Sequence, residues 1–309
     1  LLRRKGRIEL LHSEEMPGLI VNADDFGYTG GINRAVIELH AAGVLSSTTL
    51  MANGTALEDA LAQSAQPSLS FGIGCHIVLV DGAPVSPRDE IRSLLDPSST
   101  GAGAPASLRP ALGGFVRDLL LGRLREDEIE HEAVAQIRLL QARGIALTHV
   151  DTHKHTHMFP QVLRPVLRAA RACGLTCVRN PFEPAWSRAA TPGAPLLRRA
   201  ELRLLTPLRA AFASLVAEFG MRTTAGALGV LATGTLDAPT LHYLLRAAQR
   251  HATRDDAVWE LVCHPGYHDA ALDAQQTRLR AARDVERRAL AELAPALREF
   301  TLVHFGTRW

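Results

Sequence analysis

The chain has 309 residues, 47% of them apolar, with a net charge of +2. That is enough apolar material for a sizeable core in one large α/β domain. No uninterrupted apolar run is long enough for a membrane span, and the charge makes no case for nucleic-acid binding.

Residues 1–17 read as an N-terminal extension without the apolar stretch of a secretory signal, and are expected to be disordered. A single domain is expected over 18–309. Leu19–Asn22 is a short buried strand that runs into Ala23-Asp24-Asp25-Phe26-Gly27. One Asp serves a turn or helix cap. Two adjacent carboxylates at the end of an apolar strand need a positive charge nearby. A helix is predicted over Ile32–Ala42, a strand within Val44–Met51 and a helix over Ala56–Ser64. Leu69–His76 is a third strand, ending on histidine. Residues 81–107, rich in Pro, Gly, Ser and Ala, read as a long mobile loop of the kind that forms lids.

Helices are predicted over Leu108–Leu121 and Glu126–Ala142, the second closed by Gly144 at C′. Ile145-Ala146-Leu147 then leads into His149-Val150-Asp151-Thr152-His153-Lys154-His155-Thr156-His157. Four of the 13 histidines lie here. With Asp151 they take alternate positions, which share one face of an extended chain. Imidazole and carboxylate suit a divalent metal. The pattern alone does not choose among His149, His153, His155 and His157, and a solvated histidine loop explains the stretch taken by itself.

A helix follows from Pro160 to Ala172, then a short strand, Thr176–Arg179. Residues 181–224 break the alternation. Pro181, Pro184, Pro192 and Pro195 open the segment, and two basic amphipathic helices meet at Pro207. A helical layer with a solvated Arg face accounts for them as well as any functional role. Strands at Ala227–Leu231, Ala257–His264 and Thr301–Phe305 alternate with helices at Thr240–His251 and Gln276–Leu293. Cys75, Cys173, Cys177 and Cys263 sit in apolar segments and read as reduced core residues of a cytosolic protein.

Strand–helix alternation with about eight strands predicts a distorted (β/α) TIM-like barrel with a helical insertion at 181–224. Barrel sites form where strands end. Asp24, Asp25, His76, His153, Arg179 and His264 all stand at strand ends.

The segments Val21–Gly27, Gly74–His76, His149–His153, His157–Pro160 and Cys263–Pro265 together resemble the YdjC-like carbohydrate deacetylases, in order from about residue 18 to 268. The resemblance implies a distorted (β/α) barrel that removes acetyl groups from N-acetylated sugars with one divalent metal ion, Mg2+ or Zn2+. It implies Asp25, His76 and His153 as metal ligands, Asp24 as general base and His264 as general acid. His149, Asp151, His155 and His157 become supporting residues, and Arg179 is expected to bind substrate. Val178–Pro184 and the basic insertion resemble the branch associated with hopanoid biosynthesis. That branch implies an N-acetylglucosaminyl hopanoid substrate and peripheral contact with the inner face of the membrane through 186–224. The alternative is a soluble chitooligosaccharide deacetylase. Readings of another class are a metal phosphoesterase and a non-catalytic sugar- or lipid-binding module. Both the oligomeric state, a homodimer included, and the native metal are left open.

Overall fold

The computed structural model describes residues 16–65, 71–99, 105–191, 193–252 and 257–309. The predicted extension up to residue 15, and Leu69 and Ser70 of the predicted third strand, lie outside these.

In chain order the elements are β1 (Gly18–Phe26), α1 (Gly30–Ala41), β2 (Ser47–Leu50), α2 (Leu57–Ser64), β3 (Gly72–Ile77), α3 (Leu112–Leu120), α4 (Glu126–Ala142), β4 (Leu147–Thr152) and α5 (Pro160–Ala172). Then come α6 (Ala185–Ala189), α7 (Leu196–Leu205), α8 (Leu208–Glu218), β5 (Ala227–Leu228), α9 (Ala238–Ala252), β6 (Trp259–Cys263), α10 (Ala270–Asp273), α11 (Arg280–Glu292), α12 (Ala294–Leu297) and β7 (Thr301–Leu302).

All strand pairs are parallel. The sheet runs β4-β3-β2-β1-β6-β5, with β7 also on β1. From Leu19 onward every residue of β1 is buried, as expected for a strand covered on both faces. Local signals placed the helices well. Pro160 opens α5, where its missing N–H costs nothing. Gly144, at φ +83°, follows the C-cap Arg143 of α4.

The predicted barrel is only partly formed: the sheet is a curled half-barrel. Continuous ladders reach from β4 to β5, but among the described residues the arc between those two edges holds only isolated bridges, Val150 to Val178 and Cys177 to Arg222. Thr176–Arg179, expected as a strand, supplies these bridges and forms no ladder. Pro181 and Pro184 beyond it lack the N–H groups that would extend it as a strand.

The expected mobile loop is also corrected over its described part. In 81–99, Ile91 and Leu94 have no exposed surface. Glu132 of α4 accepts from the N–H groups of Val85 and Ser86, and Glu128 from that of Ser93. Few large apolar residues are present, but those few are anchored. Residues 100–104 lie outside the described structure.

All four cysteines are buried and unpaired. Among the described residues no helix is long and apolar enough to cross a membrane.

Candidate metal centre

Adjacent residues of a regular strand point to opposite faces, yet Asp24 and Asp25 serve one rim. The backbone is responsible. The register of β1 on β2 slips between Ala23 and Phe26, and Asp25 adopts φ +67°. A left-handed non-glycine residue costs about 1–2 kcal/mol, and Asp tolerates it better than most. The irregularity turns both carboxylates to the C-terminal end of the sheet.

His76 stands near the end of β3, in register with Asp151 on β4. Its Nδ1 donates to Asp151 Oδ1 at 2.8 Å. In the neutral tautomer this leaves the Nε2 lone pair free, as in metal-binding histidines held by a carboxylate. His153 is the first residue beyond β4. Strand geometry stops there, because His153–Met158 is a 3₁₀ segment with Lys154 and His155 at φ +57° and +52°.

The expected alternation over residues 149–157 therefore holds only as far as 153. His149 packs inward, its ring stacked on Phe305 at 3.9 Å between centroids. Gly74 makes room for it, since a Cβ there would lie 2.4 Å from the His149 ring. His157 Nδ1 is hydrogen-bonded to Thr152 Oγ1 at 2.7 Å, and His155 is buried near it.

Asp25, His76 and His153 converge. Asp25 Oδ1 lies 3.3 Å from His76 Nε2 and 3.3 Å from His153 Nδ1. The two imidazole nitrogens are 3.3 Å apart. Donor atoms about 2.0–2.2 Å from one ion lie about 3.0–3.5 Å from each other, so the triangle fits a single divalent ion. Asp25 Oδ1 is buried and receives no hydrogen bond, as expected of an oxygen whose partner is a metal. A second group, Asp24, His76 and Asp151, is also compact. Its carboxylates, however, are already held by a guanidinium.

That guanidinium is Arg179. It has no exposed surface. It grips Asp24 with two hydrogen bonds, 2.8 and 2.6 Å, pairs with Asp151 and donates from Nε to Glu260 at 2.7 Å. Expected to bind substrate, it lies instead beneath the site, behind Asp24. Burial would raise the Asp24 carboxyl, but the charges of Arg179, His76 and His264 hold it well below the ordinary carboxylate range. Burial likewise opposes ionisation of Asp25, and Arg283 with the two histidines overcomes it.

Burial alone would lower His76, but Asp151, Asp25 and Asp24 push it up to about 10. The position therefore favours a positive charge, proton or metal. Burial keeps His153 low and its lone pair available.

His264 follows β6, with Nε2 3.7 Å from Asp24 Oδ2. Its backbone N–H donates to Glu286 Oε2 at 2.6 Å, and its Nδ1 lies 3.8 Å from the same oxygen. Burial lowers the ring, but Glu286, Asp24 and Asp25 outweigh it, so its pKa is raised.

Five of the six expected residues thus meet at one rim, and the sixth supports them. Sequence reasoning missed Arg283, Glu286 and Glu260. Arg283 and Glu286 share the buried face of α11 with Ala289 and Leu290. Charged residues at i and i+3 within a helix's core-facing stripe were the available signal.

These observations define a class: a parallel α/β half-barrel with an Asp–His–His donor group at its C-terminal rim. The chain belongs to the YdjC-like family, whose model matches residues 18–301. It is similar to a carbohydrate deacetylase of Brevibacillus brevis, 41% identical over 154 residues, which are 49% of this chain and 55% of that one. It is also similar to a chitooligosaccharide deacetylase of Salmonella typhimurium, 36% identical over 168 residues, 51% of this chain and 57% of that one. The match thus spans little more than half the length of each relative. A crystal structure of a protein from Enterococcus faecalis, described as a cellobiose-phosphate cleavage protein, shares the fold. Its TM-score is 0.71 at 22% identity, covering 94% of this chain and 97% of that one.

Proposed function

We propose that the chain is a metal-dependent carbohydrate N-deacetylase, which hydrolyses the acetamide of an N-acetylated amino sugar to a free amine and acetate. The observation that carries this reading is the 3.3 Å donor triangle, with a fixed carboxylate, Asp24, and a carboxylate-backed imidazole, His264, at the same rim. The names of the two deacetylase relatives support the substrate class.

An ion held by Asp25, His76 and His153, Mg2+ or Zn2+, would polarise the acetyl carbonyl and lower the pKa of a water. Asp24 accepts that proton, its orientation set by the two-pronged grip of Arg179. His264 donates a proton to the departing amine, its pKa raised by the nearby Glu286 carboxylate. Arg179 acts through Asp24, and no substrate contact is assigned to it.

Acetate release from N,N′-diacetylchitobiose and from N-acetylglucosaminyl hopanoid, measured after chelation and after adding back Mg2+ or Zn2+, tests the proposal. We expect chelation to abolish release and one of the ions to restore it. Release unaffected by chelation would remove the metal from the reaction. Phosphoester hydrolysis without acetate release would favour the phosphoesterase reading.

The general-acid role has its own check. His264 must be protonated to act, so activity falls as pH rises through its raised pKa. In Glu286→Gln the alkaline limb of the kcat/KM profile should move to lower pH. An unmoved limb would separate it from His264.

A membrane-bound glycolipid, the N-acetylglucosaminyl hopanoid, is the finer reading of the substrate, and one feature favours it over a soluble sugar. Leu196, Leu197 and Leu204 on α7 are 84%, 73% and 81% exposed. Phe212 and Leu215 on α8 are buried in the core. Arg198 and Arg199 donate to backbone carbonyls of Val230, Ala194 and Thr191, leaving Arg203 and Arg209 as the exposed basic pair. A cavity of about 210 Å³ beside α7 has mixed walls, Phe182, Leu202 and Leu205 with Glu183, Arg188 and Arg209. We expect the protein to co-sediment with anionic vesicles and a Leu196/Leu197/Leu204→Gln variant to lose that binding. Equal sedimentation of the two would leave α7 as surface and favour chitooligosaccharides.

A further inference from the structure

The two oxygens of Asp25 have different surroundings. Oδ1 belongs to the donor triangle and receives no hydrogen bond. Oδ2 accepts from Arg283 Nη2 at 2.5 Å. Arg283 is 1% exposed, and among the described residues Asp25 is the one carboxylate within ion-pair distance of it. Its Nε and Nη1 are buried and find no partner among the described residues. A guanidinium normally satisfies several donors when it leaves water, and leaving them unmade is costly. Arg283 is held where it serves a single oxygen.

The surroundings prevent it from moving. Arg283 lies in the first turn of α11, and its backbone carbonyl accepts from Gly266 N–H at 3.2 Å. A Cβ at Gly266 would come within 3.2 Å of Arg283 Cδ, so the arginine stem fills the space a side chain there would need. Asp25, by contrast, has a left-handed backbone, φ +67°, where the register of β1 slips. Metal ligands that are themselves hydrogen-bonded keep their orientation, and loss of such a partner commonly costs about 10–100-fold in metal affinity.

We propose that Arg283 is a positioning residue for the metal centre: by binding Asp25 Oδ2 it fixes the carboxylate so that Oδ1 completes the donor triangle with His76 and His153. This rests on the metal reading of that triangle. Arg283 touches neither the ion nor substrate, and its effect passes through Asp25.

Cobalt(II) titration of the metal-free protein tests this, because the visible spectrum reports coordination geometry independently of turnover. We expect wild type to bind one equivalent. Arg283→Lys keeps the charge but loses the rigid planar donor. It should bind cobalt about 10–100-fold more weakly, show a changed spectrum at saturation, and release acetate with lower kcat at unchanged KM. If Arg283→Lys shows no cooperative thermal transition, Arg283→Met, which buries no charge, takes its place under the same spectral criterion. A folded variant with wild-type cobalt affinity and spectrum would overturn the assignment. No cobalt binding by wild type would remove the metal reading, and this inference with it.

Discussion

Asp24→Asn should keep its metal and lose turnover by about 10²–10⁴-fold, the usual contribution of a general base. Metal retention is expected because Asp25, His76 and His153 are unchanged, and Arg179 still has Asp151 and Glu260 to hold it. The amide offers one oxygen to the arginine where the carboxylate offered two, and it cannot take a proton from water. The contrast with Asp25→Asn is informative: there the metal should be lost along with activity. Metal content and kcat measured on the same samples separate the two. Near-normal kcat in metal-loaded Asp24→Asn would remove Asp24 as the base.

The largest effect on stability is expected at Arg179. Its side chain is fully buried and compensates Asp24, Asp151 and Glu260 together. Breaking a buried ion pair from one side typically costs about 3–5 kcal/mol, and here one substitution strands three carboxylates. Arg179→Met should therefore lower the unfolding free energy of the metal-free protein, read from urea denaturation, by at least that amount. The sign of the pH dependence follows from the same carboxylates. Even beside Arg179, burial raises Glu260 to about 7, and without the arginine all three should take up protons more readily. The unfolded chain ionises them at ordinary values, so the deficit should be small in acid and grow as pH rises. A residue that only bound substrate would raise KM and leave the urea midpoint in place. That outcome would restore the role expected from sequence.

The contrast at Arg179 shows what could be read from the chain alone. Local signals were reliable: Pro160 and Gly144 marked helix ends, and apolar runs closing on Asp25, His76 and His264 marked strand ends at one rim. The choice of His153 among four histidines came from family resemblance. Periodicity could not make it, because the strand geometry assumed for 149–157 stops at Thr152. Pairings across the fold were not legible. Asp25 and Arg283 are 258 positions apart, and a charged residue facing the core looks like one facing water until the helix is docked. The arc between β4 and β5 was overcounted as strand for a similar reason. Short apolar runs such as Thr176–Val178 satisfy a strand pattern without finding a continuous partner.

The position of β1 within the sheet has a consequence for how the site fails. This strand is flanked by β2, β6 and β7 and buried along nearly its whole length. Amides of such a strand exchange with solvent only when the whole molecule opens. The residues directly before Asp24 and Asp25, paired on both sides through Ala23, therefore sit in the slowest-exchanging part of the chain. Hydrogen exchange at Val21–Ala23 should report the global unfolding free energy, and activity should disappear along the same denaturant curve as the fold.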